Sequence, residues 1–251
     1  MIGSGWWCSN GAPLTYHKGD AIIRESQFHQ AWYRLVNYFT KPSRILIVDS
    51  ASPIPPPKID DDRIHIHKLA MNPGHATQCQ TRFCGWTASV LLGLQDCIHS
   101  DNDYFVYIEQ DVLIYGEGII EYAISKMTTP FMFGDATGIP HPLQQSLFII
   151  HREGIEHFLS RLLARNETDK ELPPERKFHL ATQHSVFSWK PVRWLAKRRR
   201  CYDFLPFGYG RKRPLDMNEP HFYFQHGTRN ECLDFEARTK EDDGISLFDQ
   251  E

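Results

Sequence analysis

The sequence predicts an α/β protein: a mixed, mainly parallel sheet flanked by helices, in a single domain with a loop-rich C-terminal region. Three observations predict it. Short apolar runs of strand length alternate with longer stretches of helical spacing, the pattern of a sheet covered on both faces. The 251 residues suit one large α/β domain, or at most two small ones. Hydrophobic residues make up 41% and charged residues 24%, so a sizeable core can be buried.

The elements follow in chain order. Before Ala21 the periodicity is weak. Arg44 to Asp49 (RILIVD) is an apolar run ending in an acid, a buried strand that exits into a loop extended by Pro53 to Pro57. Arg63 to Leu69 alternates apolar and polar residues as a strand does. Asn72-Pro73-Gly74 marks a turn, and a helix fits between Thr77 and Cys97, with Cys84, Ala88, Leu91, Leu92 and Gln95 near helical spacing. Asp103 to Asp111 (DYFVYIEQD) reads as a strand cut by acids. Gly116 closes it, and Glu117 to Met127 forms a helix. Phe131 to Phe133 and Gln145 to Ile150 are further strands, the second followed by a helix from about Arg152 to Ala164. From Pro173 to Asn230 the chain is loop-rich with short aromatic strands such as His221 to Gln225, a lid or acceptor region of the same domain.

A net charge of −3 exerts no global pull on nucleic acid or membrane. No apolar run reaches the length of a membrane span, and Met1 to Asn10 lacks the basic start and apolar stretch of a signal peptide, so a cytosolic protein is expected. Six cysteines without CxxC or zinc-like spacing are expected to be free thiols. Charge is uneven toward the end. Pro191 to Arg213 carries eight basic residues and one acid, and Glu231 to Glu251 carries eight acids and two bases. The plain reading is a solvated basic face and an acidic tail. The alternative is a phosphate contact, or a peripheral membrane contact through Lys197 to Arg200 beside Trp194 and Leu195.

Glu109-Gln110-Asp111 is the most informative segment. Acids two apart at the end of an apolar strand share a face, and strand ends are where open α/β sheets bind ligands. Such a pair can hold a hard divalent cation against phosphate oxygens; solvated acids at a strand exit look the same.

The stretch resembles the Asp-x-Asp motif of GT-A glycosyltransferases, written here Glu109-Gln110-Asp111. Ile45 to Ser50 is similar to the second strand of that family, whose terminal acid, here Asp49, sits near the base or ribose. Asn72-Pro73-Gly74-His75-Ala76 resembles the turn before its long helix, and Arg82 its arginine that approaches the donor. Phe222-Tyr223-Phe224-Gln225-His226 is similar to the late strand that delivers a histidine to the metal. Pro173-Pro174-Glu175-Arg176 resembles the acidic motif that supplies the base. The departures are Glu for the first motif Asp, Arg176 where many members carry Asp, and Gly3 to Cys8 (GSGWWC) in place of an apolar opening strand.

The resemblance implies a Rossmann-like GT-A domain over residues 1–251. About 1–130 binds the nucleotide-sugar, about 131–230 binds the acceptor, and 231–251 is an acidic tail. It implies Mn²⁺ or Mg²⁺ held by Asp111 and His226 with Glu109 nearby, and donor contacts from Asp49, Asn72 and Arg82. Glu175 is then the base of an inverting transfer, with Asp135 second. The partners implied are a nucleotide diphosphate-sugar and a glycan or lipid-linked sugar acceptor, with no nucleic acid. Two alternatives stay open. One is a sugar nucleotidyltransferase, although Gly3-Ser4-Gly5 is followed by Trp6-Trp7 instead of a phosphate-loop cation. The other is a non-catalytic carbohydrate-binding module using the aromatics.

Overall fold

A glycine-rich strand lies in the interior of the sheet. β1 (Ile2–Trp6) pairs in parallel with β2 (Ile45–Asp49) on one side and β4 (Tyr104–Ile108) on the other. The apolar opening that Gly3 to Cys8 lacks is explained by its neighbours. A Cβ on Gly3 would meet the Phe105 ring at 2.6 Å, and one on Gly93 would meet the same ring at 2.4 Å, so the ring is clasped between two glycines. The computed structural model describes residues 1–9, 20–183 and 201–248.

β3 (Ile64–Lys68) forms one edge of the large sheet. Beyond β4 come β7 (Gln144–His151), β6 (Phe131–Gly134) and β8 (Asp203–Phe204), giving seven strands in the order β3-β2-β1-β4-β7-β6-β8. Four of the six pairings are parallel; β7 runs antiparallel to both β4 and β6. The sheet is therefore mixed and mainly parallel, as expected. A smaller sheet is built from β5 (Val112–Tyr115), β10 (Phe222–Gln225) and β9 (Tyr209–Gly210).

Helices cover both faces. One face carries α2 (Gly85–His99), α4 (Arg152–Leu163) and α5 (Pro174–Ala181), with Leu94, Phe148, Phe158 and Phe178 buried between helices and sheet. The other carries α1 (Ser26–Phe39), α3 (Ile119–Ser125) and α6 (Arg229–Asp243), around Trp32, Val106, Phe222 and Phe235.

Four sequence expectations are corrected. The helix expected from Thr77 begins at Gly85, because its first turn is capped from far away: Asp169 Oδ2 accepts from the Cys84 amide at 2.8 Å and from Thr87 Oγ1 at 2.6 Å. The strand expected to run through Asp111 ends at Ile108. Glu109 to Val112 is a tight turn, with the Val112 amide bonded to the Glu109 carbonyl at 3.0 Å. The acidic tail is in large part α6, opened by a capping box between Thr228 and Glu231 and docked through Cys232, Phe235 and Thr239. Before Ala21, where the periodicity is weak, β1 forms. Among the described residues no disulfide joins any of the six cysteines. Lys197 to Arg200, the expected membrane contact, lies outside the described residues. No helix of the described residues is long and apolar enough to cross a membrane.

Candidate metal and nucleotide site

The turn after β4 is held from three sides. The Glu109 amide donates to the Ser146 carbonyl of β7 at 2.8 Å. Gln110 clasps the backbone of Trp7 just past β1: its Oε1 accepts from the Trp7 amide at 2.6 Å and its Nε2 donates to the Trp7 carbonyl at 3.1 Å. Asp111 leads into β5, which pairs antiparallel with β10 so that Gln225 stands opposite Val112. This pairing carries the late segment of the chain to the acids. Because Glu109 and Asp111 flank a turn, strand alternation is not what brings them together. Their carboxylates meet at the amide of Gln225, which donates to Glu109 Oε2 at 2.6 Å and to Asp111 Oδ1 at 3.0 Å.

His226 follows directly. Its backbone is left-handed, with φ of 58°, an uncommon choice for a side-chain-bearing residue. Its Nε2 lies 3.5 Å from Asp111 Oδ2, and both side chains are largely buried. Around this cluster, Arg211 Nε donates to Gln225 Oε1 at 3.0 Å. Arg213 ion-pairs with Glu231 of α6 and donates to the Gln225 carbonyl at 3.1 Å, fixing the end of β10.

The electrostatics match the crowding. Burial, and next the negative Asp111, push the Glu109 carboxyl well above the usual carboxylate range; Arg211 and the Gln225 hydrogen bond pull it down, and Glu175 adds to the push. Glu175 thus contributes to the field at the acids from the first turn of α5, where Pro174 starts the helix as its sequence suggests.

The other expected residues are placed as follows. Asp49 is buried at the end of β2, its Oδ1 accepting from the Ser52 amide at 2.8 Å. Asn72 Oδ1 accepts from the Gly74 amide at 2.8 Å in an exposed turn after β3. Both shape loops at the carboxyl ends of the parallel strands. Arg82 precedes α2 instead of lying on it, and its Nη2 donates to the Leu163 carbonyl at the end of α4 at 2.6 Å. Asp135, exposed at the end of β6, accepts from Thr137 Oγ1 at 2.8 Å and bears electrostatically on Tyr223. The structure therefore brings Glu109, Asp111 and His226 together, with Glu175 felt at their edge. Asp49, Asn72 and Arg82 are engaged in their own loops or in α4.

A carboxylate and an imidazole suit a borderline-hard divalent cation. Two ligands each about 2.1 Å from one ion stand about 3 to 3.5 Å apart, and the Asp111–His226 spacing of 3.5 Å fits. Among the described residues no three His, Cys, Asp or Glu side chains converge as a ready-made cation cluster.

Sequence reasoning missed Gln110, Gln225 and Arg211. Gln225 had one usable signal, its place beside His226 on an aromatic strand, and Arg211 had its place in the basic stretch.

No protein-family model matches the chain, and no curated protein is similar to it. One of the solved structures it resembles is described as a cytidylyltransferase from Leptospira borgpetersenii serovar Hardjo-bovis, at 10% identity and a TM-score of 0.38, over 82% of this chain and 75% of that one.

Proposed function

We propose that the chain is a metal-dependent glycosyltransferase of the GT-A type, transferring a sugar from a nucleotide diphosphate-sugar to an acceptor hydroxyl with inversion. One observation carries the reading. The β5–β10 pairing sets His226, from late in the chain, 3.5 Å from Asp111 in the turn that ends β4. Asp111 and His226, with Glu109 beside them, would hold Mn²⁺ or Mg²⁺, which supplies charge for the departing diphosphate.

The protein's own groups do the rest. Residues up to about 130 contribute the loops at the ends of β1, β2 and β3, where Asp49 and the Asn72 turn line the donor side. The region 131–230 supplies the acceptor side, with Glu175 as the base that takes the acceptor proton and Asp135 as second candidate. Arg211 holds positive charge beside the diphosphate position. The acceptor is a glycan or a lipid-linked sugar. Lys197 to Arg200 would supply a peripheral contact if the acceptor lies in a membrane.

Calorimetry with nucleoside diphosphates and Mn²⁺ tests this. The wild-type protein is expected to bind at least one of them only when Mn²⁺ is present. Asp111→Ala is expected to lose that binding while still melting cooperatively, at a temperature lowered by the loss of the buried acceptor of Gln225 Nε2. Unchanged affinity in the folded variant sinks the metal role. Release of pyrophosphate from a nucleoside triphosphate and a sugar phosphate would point to nucleotidyl transfer instead.

A further inference from the structure

β10 presents two unlike faces. Phe222 and Phe224 pack against Phe235 of α6, while Tyr223 and Gln225 turn toward the large sheet, where the Tyr223 hydroxyl donates to Gln144 Oε1 of β7 at 2.8 Å. Gln225 is 1% exposed, so its polar atoms need partners from the protein. Its amide is fully used. Nε2 gives one hydrogen to Glu109 at 2.6 Å and the other to Asp111 Oδ1 at 3.0 Å, and Oε1 accepts from Arg211 at 3.0 Å. The orientation follows from Arg211, whose guanidinium only donates and so faces Oε1, leaving Nε2 to the acids. A neutral donor thus bridges two acids that would otherwise repel each other. It engages Oδ1 of Asp111, while Oδ2 is turned toward His226.

We infer that Gln225 is a positioning residue of this site: its amide ties Glu109 and Oδ1 of Asp111 to Arg211, and so presents Oδ2 of Asp111, beside the His226 imidazole, to a divalent cation. Glu109 is held beside the same position by the same amide. The inference rests on the reading above that these side chains hold a cation. Partners that orient a ligand from behind typically change metal affinity by about 10- to 100-fold when removed.

The test uses Mn²⁺ alone, titrated into the wild-type protein, Gln225→Met and Tyr223→Phe. Free and bound ion are followed by electron paramagnetic resonance, and each protein's melting temperature is measured alongside. Methionine keeps the length of glutamine without its donors. Tyr223→Phe removes a buried hydrogen bond from the same face of the same strand but touches neither acid. Gln225→Met is expected to bind Mn²⁺ at least about ten-fold more weakly and to alter the spectrum of the bound ion. Tyr223→Phe is expected to be destabilised yet bind as the wild type does.

Equal affinity in Gln225→Met and wild type overturns the inference and leaves the cation reading standing. An equal loss in Tyr223→Phe also overturns it, since the strand and not the amide would then be responsible. A wild-type protein that takes up no Mn²⁺, with or without nucleoside diphosphate, overturns the cation reading and this inference together. If Gln225→Met shows no cooperative melt, Gln225→Asn replaces it. Its amide is one methylene too short to span both acids, and the same outcomes decide.

Discussion

His29 is a histidine with no chemistry to do. It is 3% exposed on α1, stacked on Trp32 at 5.7 Å and met edge-on by Trp6 at 4.8 Å, and neither ring nitrogen has a partner among the described residues. Burial lowers its pKa from 6.5 to about 4. The unfolded chain therefore takes up a proton near pH 6.5 that the folded one refuses until about 4. Stability is lost as pH falls through that window and levels off below it, by on the order of 3 kcal/mol. Glu109 runs the other way. Its raised carboxyl favours the folded state at low pH, and that contribution is lost as pH rises above the usual carboxylate range. Thermal melts from pH 7 to 4.5 are expected to show a steeper fall for wild type than for His29→Leu. Parallel curves would mean that the ring already reaches water. Nothing in the sequence separates such a histidine from His226. Each sits among aromatics, and only the tertiary structure shows that one faces indoles and the other a carboxylate.

At the scale of elements, one buried ion pair organises a whole face. Lys177 of α5 and Asp169 are both fully buried and 2.7 Å apart; Lys177 also donates to the Glu167 carbonyl, and Asp169 caps α2 through Cys84 and Thr87. Removing one partner strands a charge. Lys177→Met is expected to cost about 3 to 5 kcal/mol in urea unfolding, and Asp169→Leu combined with Lys177→Met less than the two single changes together. Additive costs would show that the pair is not coupled. This ion pair also explains why the start of α2 was illegible: the capping acid stands 85 positions from Cys84 in sequence, so no local signal marks Gly85 as the first residue. By contrast β2, β3, β7 and α4 were legible because their periods and punctuation are local. α1 carried a signal in the spacing of Phe28, Ala31, Trp32, Leu35 and Phe39, but Glu25 makes no side-chain cap bond that would announce it.

At the scale of the whole molecule, the β4–β7 pairing joins a parallel half, built by β1 to β4, to a mixed half in which β7 runs against both its neighbours, and the acids stand at the join. Glu109, Asp111 and His226 were legible as residue types. That Gln225 and Arg211 complete the cluster was not, since the pairing of β5 with β10 spans more than a hundred positions. Under the proposed transfer, Glu175 is the first candidate for the base and Asp135 the second. Glu175 on α5 acts on the field at Glu109, whereas Asp135 is occupied with Thr137. Glu175→Gln is therefore expected to bind donor normally and lose turnover by about 10²-fold or more, with Asp135→Asn close to wild type in an assay of sugar transfer. The reverse ranking would move the base to β6. The interior position of β1 has a consequence for synthesis. Ile2 pairs with both Ile45 and Val106, so this strand has one neighbour missing until a further hundred-odd residues have emerged. At about 5 to 20 residues per second that is a wait of roughly 5 to 20 s. A nascent strand left open at one edge for that long offers unpaired backbone to a wrong chain, and Gly3 and Gly5 leave its register weakly specified until Phe105 arrives to pack against Gly3.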